Sequence, residues 1–435
     1  MGTYFCIRMV AIMKNTIQSV KGTRDFYPED MAFRTWLYGK IRQVSESFGY
    51  QEYEAPILEK VDLYAAKSGE ELVKEQAFVF PDRGGELITL RPELTPSLAR
   101  MVAQRANQLI FPLRWWSFGP FWRYEKPQKG RAREFFQWNI DLFGVNSPEA
   151  DAELLAICAS LFKAVGLTPD QVKLLVNDRR LVDRTLSSLN IPPLKRIEVY
   201  RLIDRREKMT PPEWFSYAQE IGLTAEQVNG IDNFMEEGDA WETSPELSRA
   251  FALLGAMGFR DYVSFSPRII RGLDYYTGVV FEAKDLDGGR SILGGGRYDN
   301  LVSDVGGEPV PGVGFAMGDV MAGIVLKKYG CVPELSTQPA QIMVTIFDDA
   351  SFFDSQKLAA DLRTSGINVI CYPETAKLQK QFKFADRMTI PLVIVLGPDE
   401  ISQGKVTVKD LPGQKQQIIE RSELVGRLND LLAQS

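Results

Sequence analysis

The chain has 435 residues, a length that favours two or three domains, and its 45% hydrophobic and 25% charged content is ordinary for a globular enzyme. Its net charge of -6 argues against a protein that coats nucleic acid through bulk charge, although a local basic face stays open. The four widely spaced cysteines argue against a zinc ribbon or a disulfide scaffold, and no apolar run is long enough to span a bilayer, so a cytoplasmic protein that binds no membrane is expected.

One residue type is missing, because the chain contains no histidine. This removes the commonest general base, the Ser-His-Asp and Cys-His nucleophile systems and the commonest zinc ligand. Any chemistry must rest on carboxylates, arginines, lysines, tyrosines, backbone groups and a metal. A reaction driven by positioning and charge stabilisation suits that set better than one that needs a protein base.

The first part of the chain is rich in strands. After an N-terminal lead (residues 1–17) and a loop, the patterns predict a helix at 31–48, strands at 50–57 and 87–91, a turn and helix from 92, strands at 113–118 and 138–143, and a helix at 147–165. This order lacks regular βαβ alternation. It therefore predicts an α+β domain over residues 18–332, built on a mostly antiparallel sheet with flanking helices.

Residues 121–137, FWRYEKPQKGRAREFFQ, are the most informative segment. They interleave cations with aromatic rings, and the proline and glycine in the middle interrupt the segment as a turn would. Two strands joined by a cationic loop would suit a nucleoside triphosphate, because arginine forks hold phosphate oxygens and an aromatic ring stacks on a purine. A solvated basic hairpin at a sheet edge is the equally weighted alternative.

Residues 168–255 are helical in pattern and gather positive charge, which predicts a helical insertion within the core. The alternative is a helical subdomain with ordinary surface charges. Strands return at 262–265, 277–284 and 291–293, and the glycine-rich pieces LGGGRYDNL and PGVGFAMG follow. The second of these runs into a helix through residue 328.

A linker is expected at residues 333–340, and residues 341–435 then alternate strands and helices as a compact α/β domain does. Four cations, Lys377, Lys380, Lys383 and Arg387, repeat on one stripe of a predicted helix. This stripe could meet phosphates or could be a solvated face.

Several motifs in family order resemble the class II aminoacyl-tRNA synthetases, and among them the histidyl-tRNA synthetase family. Residues 121–137 look like motif 2, residues 31–56 like the dimer-forming motif 1, and TLRPELT (89–95) like the amino-group-binding loop. RGLDYYTG (271–278) and LGGGRYDNL (293–301) are similar to the two histidine signatures. The C-terminal domain resembles the anticodon-binding domain, so the likeness covers nearly the whole chain after residue 18.

The resemblance implies a role for each matching residue. Arg123 would bridge the α-phosphate and the substrate carboxylate, and Arg271 would be the histidine-specific cation at that phosphate. The other implied ATP contacts are Glu125, Arg131 and Phe135. The other implied histidine contacts are Glu93, Leu94, Thr95, Gln137, Asp141, Tyr275 and Tyr276. Magnesium would sit on the phosphates, with no protein ligand assigned.

Each of these residues also has a plainer interpretation. Glu93 could be a turn carboxylate, Tyr275 and Tyr276 ordinary strand aromatics, and residues 294–296 a tight turn. Arg271 could simply pair with Asp274 or another acid.

The chain departs from the family pattern in motif 3, where an acid and an arginine normally follow the glycines. Val320 takes the place of the acid and Met321 that of the arginine. A lost charged hydrogen bond costs about 1.5–3 kcal/mol, roughly 10- to 150-fold in binding or rate. We expect activity with rearranged phosphate contacts. Asp141 stands where many bacterial members have glutamate, so its reach to the imidazole differs. Lys126 and Ala132 replace a common arginine and tyrosine of motif 2.

The resemblance implies a homodimeric histidine–tRNA ligase, which forms histidyl-adenylate from ATP and L-histidine and transfers histidine to the 3′ end of tRNA(His). A synthetase-like regulatory subunit of ATP phosphoribosyltransferase is the alternative, slightly favoured by the motif 3 change. A tRNA-binding sensor is a third hypothesis, and the lack of an attached effector counts against it.

Overall fold

The computed structural model describes residues 17–65, 76–126, 130–271, 275–289 and 291–433. The chain divides into two compact units, Met1–Glu334 and Leu335–Ser435, and each is described by itself. In the described residues, no helix combines the length and apolar character that crossing a membrane requires.

The first unit mixes strands and helices along the chain. Its strands are β1 Gln51–Glu52, β2 Leu58–Lys60, β3 Phe78–Pro81, β4 Leu87–Leu90, β5 Leu113–Trp122, β6 Glu134–Phe143, β7 Val172–Asp178, β8 Val263–Phe265, β9 Val279–Asp285, β10 Ser291–Arg297 and β11 Gly312–Gly318. Its helices are α1 Pro28–Ser47, α2 Asp62–Ala65, α3 Thr95–Arg105, α4 Pro148–Ala164, α5 Arg179–Ser188, α6 Arg196–Asp204, α7 Pro211–Glu220, α8 Ala225–Phe234, α9 Pro245–Ala256, α10 Leu301–Asp304 and α11 Asp319–Lys328.

The described part of this unit contains an eight-stranded sheet in the order β1-β5-β6-β11-β10-β9-β7-β8. Its strands pair antiparallel except for the outermost pairs, β1 with β5 and β7 with β8. The predicted α+β class with a mostly antiparallel sheet is thus confirmed.

One face of the sheet packs on helices α1 and α4. Helix α4 is apolar on most sides and correspondingly buried on most sides. Alternation along β6 sends Trp138, Ile140 and Leu142 into this core. Gln137 and Asp141 therefore lie on the opposite face, where the candidate site is found.

The predicted helical segment at 168–255 is wrong at its beginning, because residues 172–178 form β7 inside the large sheet. The alternate apolar residues Val172, Leu174 and Val176 are completely buried, which a period of two explains. Helices α5 to α9 follow. Residues 294–296 likewise belong to strand β10 and do not form a tight turn.

A small antiparallel sheet in the order β2-β4-β3 carries apolar side chains that face solvent. Leu58, Val79, Phe80 and Leu87 are between 39% and 56% exposed. The register places Leu58 and Phe80 on one face of this sheet and Val79 and Leu87 on the other, so both faces expose apolar side chains that another protein can cover.

The second unit is a five-stranded sheet in the order β13-β12-β14-β15-β16. Its elements are β12 Ile342–Val344, α12 Phe352–Thr364, β13 Val369–Cys371, α13 Leu378–Arg387, β14 Leu392–Val395, α14 Pro398–Gln403, β15 Lys405–Asp410, β16 Lys415–Glu420 and α15 Leu424–Leu432. The first three strands of the order run parallel and the last two pair antiparallel. The predicted C-terminal α/β architecture is confirmed.

Candidate active site

The β5–β6 hairpin forms one wall of a cleft on the open face of the large sheet. Its register places Phe121 opposite Phe135 and Gly119 opposite Gln137. Just beyond the paired strands, the backbone N–H of Arg123 donates to the carbonyl of Arg133 at 2.9 Å. The hairpin predicted from residues 121–137 is therefore present, although its tip, residues 127–129, lies outside the described residues.

The Arg123 guanidinium is fixed from two sides. Its Nε donates to the carbonyl of Pro92 at 3.0 Å, and its Cζ lies 5.6 Å from the centre of the Phe135 ring. The Phe135 ring in turn stacks on Phe121, with ring centres 6.1 Å apart. This anchoring ties the hairpin to the loop before α3 and fixes the direction in which the guanidinium fork points.

Glu125 and Arg131 face each other across the hairpin. Arg131 Nη1 lies 2.9 Å from Glu125 Oε2, and the arginine side chain is 53% exposed. An ion pair with this exposure contributes little to stability. Its main effect is to orient the Arg131 guanidinium, which can still exchange Glu125 for another anion.

The hairpin residues meet Arg271 around one cleft. Six residues selected from the sequence line it: Arg123, Glu125, Arg131, Phe135, Gln137 and Arg271. Val320 and Met321 line the same cleft at the start of α11. The two positions that depart from motif 3 therefore face the space where the hairpin presents its arginines.

The floor of the cleft is made by small residues aligned across neighbouring strands. Gly314 of β11 pairs with Asp141 of β6 and with Gly296 of β10, and Ala316 pairs with Gly294. A Cβ atom on Gly294 would lie 2.4 Å from the Arg271 guanidinium, and one on Gly314 would lie 2.1 Å from Asp141 Oδ1. These glycines allow charged side chains to lie flat over the sheet.

Arg271 reaches the cleft from a strained backbone position. Its φ is +58°, in the left-handed region that costs a non-glycine residue about 1–3 kcal/mol. Its Nη1 lies 3.1 Å from Glu282 Oε2, on the strand beside Gly294. The buried Nε makes no hydrogen bond within the described residues. The sequence raised pairing with an acid as the plainer interpretation, and the acid is Glu282.

A second group of polar side chains lies deeper on the same sheet face. Asp141 is 3% exposed and accepts a hydrogen bond from the Tyr298 hydroxyl. Burial raises the pKa of Asp141 to about 7, and the Tyr298 hydroxyl offsets part of that rise. The Tyr275 ring lies 5.0 Å from that of Tyr276 and 5.9 Å from that of Tyr298. Asp141 thus lies in a tyrosine-rich pocket, where burial disfavours its ionised form more than the Tyr298 hydroxyl favours it.

The loop before α3 joins this second group. Burial raises the pKa of Tyr275 well above its usual range, and negative charge from Glu93 and Asp141 adds to the rise while a hydrogen bond with Thr95 opposes it. Glu93 is 6% exposed, and its carbonyl accepts from the Tyr64 hydroxyl at 3.2 Å. Leu94 is buried in a small apolar cluster, so its main chain is what it can present to a ligand.

Sequence reasoning did not assign three features that shape this site: Tyr298, Glu282 and the glycine floor. Tyr298 lies inside the quoted LGGGRYDNL motif, which is the one signal that pointed to it. Glu282 is an isolated acid in a strand, and its relation to Arg271 follows from strand pairing alone. Asp319, the first residue of α11, has a structural role: its carboxylate accepts a hydrogen bond from the backbone N–H of Phe136 and pairs with Arg24 at 2.8 Å.

In the part of the chain that the structure describes, no group of three acidic, cysteine or histidine side chains is arranged to hold an ion. Glu125 and Glu282 are already paired with arginines.

An antiparallel sheet with a cationic cleft, followed by a separate α/β unit, is the architecture of the class II aminoacyl-tRNA synthetases. A solved histidyl-tRNA synthetase from Nostoc sp. PCC 7120 has this fold, with a TM-score of 0.78 and 26% identity over 96% of this chain and 100% of that one. An ATP phosphoribosyltransferase regulatory subunit/histidyl-tRNA synthetase from Bacillus halodurans C shares the fold at 21% identity and a TM-score of 0.69, over 85% of this chain and 97% of that one.

The sequence is similar over the same span. The family model for histidyl-tRNA synthetase matches residues 22–319, and that for an anticodon binding domain matches residues 341–431. A histidine–tRNA ligase of Leptospira biflexa is 35% identical over 433 residues, which cover 97% of this chain and 99% of that protein. The chain belongs to the histidyl-tRNA synthetase family. It is an aminoacyl-tRNA ligase by family and uses ATP.

Proposed function

We propose that the protein is a histidine–tRNA ligase that activates L-histidine with ATP and transfers it to the 3′ end of tRNA(His). One observation carries the proposal. Arg271 lies at the junction between the cleft lined by Arg123 and Arg131 and the pocket around Asp141 and Tyr276. A carboxylate and a phosphate that react must meet at such a junction.

The ATP half of the site would use the hairpin. Arg123, anchored on Pro92, would hold the α-phosphate and the histidine carboxylate together. Glu125 and Arg131 would hold the bent triphosphate, and Phe135 would stack on adenine. A guanidinium fork suits these contacts because it binds two oxygens in one plane.

The histidine half would read both ends of the amino acid. Glu93, Thr95 and Gln137 would accept hydrogen bonds from the ammonium group. Asp141 and Tyr276 would contact the two imidazole nitrogens, which differ as donor and acceptor, with Tyr275 beside them and the Leu94 main chain next to the ammonium.

Adenylate formation needs little proton transfer. A carboxylate oxygen of histidine would attack the α-phosphorus, the bond from that phosphorus to the bridging oxygen would break, and pyrophosphate would leave with the bond electrons. Arg123 and Arg271 would neutralise charge on the crowded phosphate. Magnesium, when bound to the phosphates, would supply further positive charge. A chain without histidine loses nothing in this step.

The remaining parts would serve tRNA and assembly. The α/β unit from residue 341 would read the anticodon. The helices of the insertion, within residues 168–255, would form a subdomain of the catalytic core, residues 18–332. The apolar sheet of β2, β3 and β4 and the motif 1 resemblance support a homodimer. The described cysteines Cys158, Cys331 and Cys371 are free thiols, consistent with a cytoplasmic protein.

A regulatory subunit of ATP phosphoribosyltransferase is the second candidate. Met321 in the cleft favours it, because a methionine cannot contact phosphate as the family's arginine does. The assembled pocket of Asp141, Tyr275 and Tyr276 and the C-terminal unit favour the ligase, since a regulator needs no anticodon-binding domain.

Histidine-dependent exchange of pyrophosphate with ATP, followed by charging of tRNA, tests the proposal. The matched variant is Arg271→Gln, which removes the charge and keeps a polar amide on a shorter side chain. We expect exchange in the wild type and its loss in the variant at an unchanged melting temperature. Exchange without histidine dependence, or none with a folded protein, would refute the ligase, and co-purification with the transferase would then support the regulator.

A further inference from the structure

Arg179 is a buried cation that the proposed reaction does not use. It is the first residue of α5, directly after β7, and is 4% exposed. Its Nη1 donates to the carbonyl of Tyr276 at 2.8 Å, and its Nη2 donates to the carbonyl of Arg271 at 2.8 Å. The same guanidinium also donates to the carbonyl of Ile270. One side chain therefore holds the main chain of Arg271, at the junction of the two halves of the site, and that of Tyr276, in the histidine half.

The backbone around Arg179 strengthens this connection. Its own N–H donates to the carbonyl of Gly278 at 3.0 Å, and the amide of Asn177 donates to the carbonyl of Pro267 at 3.0 Å. The end of β7 thus contacts the segment before Arg271 and after Tyr276. One strand-to-helix junction therefore holds both Pro267, before Arg271, and Gly278, after Tyr276.

Only arginine suits this position. Three carbonyls that lie in different directions can be reached by nitrogens spread over a rigid plane, whereas a lysine offers a single nitrogen. Arg271 adopts a left-handed backbone, which persists when its surroundings over-determine it. The hydrogen bond from Arg179 to the carbonyl of Arg271 is a direct restraint of that kind.

We infer that Arg179 is a positioning residue for histidine recognition, acting through the main chain of Arg271 and Tyr276. The inference rests on the proposed function. The hairpin that would bind ATP makes its own contacts, from Arg123 to Pro92 and from Arg131 to Glu125. Loss of the Arg179 fork should therefore raise the KM for histidine much more than the KM for ATP, and it should also lower kcat, because Arg271 would neutralise charge at the reacting phosphate.

The insertion contributes to the same arrangement. The Tyr200 ring of α6 lies 4.8 Å from the Arg179 guanidinium, and its hydroxyl donates to Asp183 of α5. The Tyr276 ring lies at 5.7 Å from the same guanidinium. Arg179 is thus packed between a ring of the insertion and a ring of the histidine pocket.

The test compares Arg179→Lys with wild type in pyrophosphate exchange, measuring KM for histidine and for ATP separately. We expect the histidine KM to rise about 10- to 100-fold, the range of one lost charged hydrogen bond, and the ATP KM to stay within about threefold. Trp214→Phe is the matched control. It removes a buried hydrogen bond to the Leu202 carbonyl in the same helices and should lower the melting temperature without changing the histidine KM.

An unchanged histidine KM in folded Arg179→Lys would overturn the inference, and so would an equal rise in Trp214→Phe, because the effect would then follow general loss of stability. If Arg179→Lys does not fold, Tyr200→Leu decides the question. It removes the ring beside the guanidinium and should raise the histidine KM about threefold; an unchanged KM overturns the inference. A wild type without exchange would instead refute the proposed function, which separates the two failures.

Discussion

Replacing Asp141 by asparagine should stabilise the protein above neutral pH while it weakens histidine binding. Asp141 is buried beside three tyrosines, and its described hydrogen-bond donor is the Tyr298 hydroxyl. Asparagine keeps an acceptor oxygen for Tyr298 and cannot ionise. It would, however, offer an imidazole N–H a neutral partner where the wild type offers a charge.

The magnitude follows from the raised pKa of about 7, compared with 3.8 for an ordinary aspartate. Between these pH values the native carboxyl keeps a proton that the unfolded chain releases, so the ionisation of Asp141 lowers stability as pH rises through this window. The total cost is on the order of 4 kcal/mol, and more than half of it falls between pH 5 and pH 8. The advantage of Asp141→Asn should therefore be larger at pH 8 than at pH 5.

Urea unfolding followed by tryptophan fluorescence measures this difference in the first unit, because all seven tryptophans precede residue 334. Asp151→Asn is the matched control. Asp151 is equally buried and its pKa is raised to about 6, but it pairs with the buried Arg297 at 2.9 Å. Its replacement removes the buried carboxylate partner of Arg297, which keeps only the partly exposed Asp299 at 3.3 Å among the described carboxylates, and should therefore destabilise the protein at pH 8. An equal gain for Asp141→Asn at both pH values, or none, would refute the reasoning.

Three further outcomes are expected. Gly294→Ala places a methyl group against the Arg271 guanidinium, so the exchange rate should fall at least about tenfold while the melting temperature stays near that of the wild type. Lys377→Glu combined with Lys383→Glu, in the cationic pocket beside α13, should raise the KM for tRNA about tenfold and leave pyrophosphate exchange unchanged. Met321→Arg, which adds a fork to the ATP cleft, should lower the KM for ATP or raise kcat about tenfold.

Each of these outcomes has a control. Gly255→Ala adds the same methyl group on α9, where nothing lies within 4 Å, and should leave exchange intact. Equal loss of exchange and of tRNA charging in the double lysine variant would contradict a role confined to tRNA. An ATP KM and kcat that do not change in Met321→Arg would show that this arginine is dispensable in the present site.

The sequence predicted those parts of the site that depend on local pattern. Residues 121–137 carry a turn between two runs of aromatic residues, and they form a hairpin. The floor could not be predicted in this way, because Gly294 and Gly314 become neighbours of Ala316 and Asp141 only through pairing of strands that are distant in sequence.

The strand β7 shows a second limit. Its seven residues alternate correctly, but the long helical pattern after it dominated the interpretation of the segment. The position of β7 is relevant to function because Arg179 directly follows this strand. The sequence places Arg179 among many cations of the helical segment and does not single it out. Only the structure shows that it lies at the junction of β7 with α5.

The positive charge of the cleft depends on how its guanidinium groups are oriented more than on how many there are. Among the described residues that line the cleft, Arg131 and Arg271 each have a carboxylate partner, Glu125 at 2.9 Å and Glu282 at 3.1 Å. The Glu125 pair is near the surface and contributes about 0–1 kcal/mol, whereas a charged hydrogen bond to phosphate contributes about 1.5–3 kcal/mol. A bound triphosphate would therefore replace Glu125 as the partner of the Arg131 guanidinium, which the carboxylate orients when no ligand is bound. In the proposed reaction, with Met321 where the resemblance implies an arginine, these oriented guanidiniums would supply the electrostatic stabilisation of the transferring phosphate.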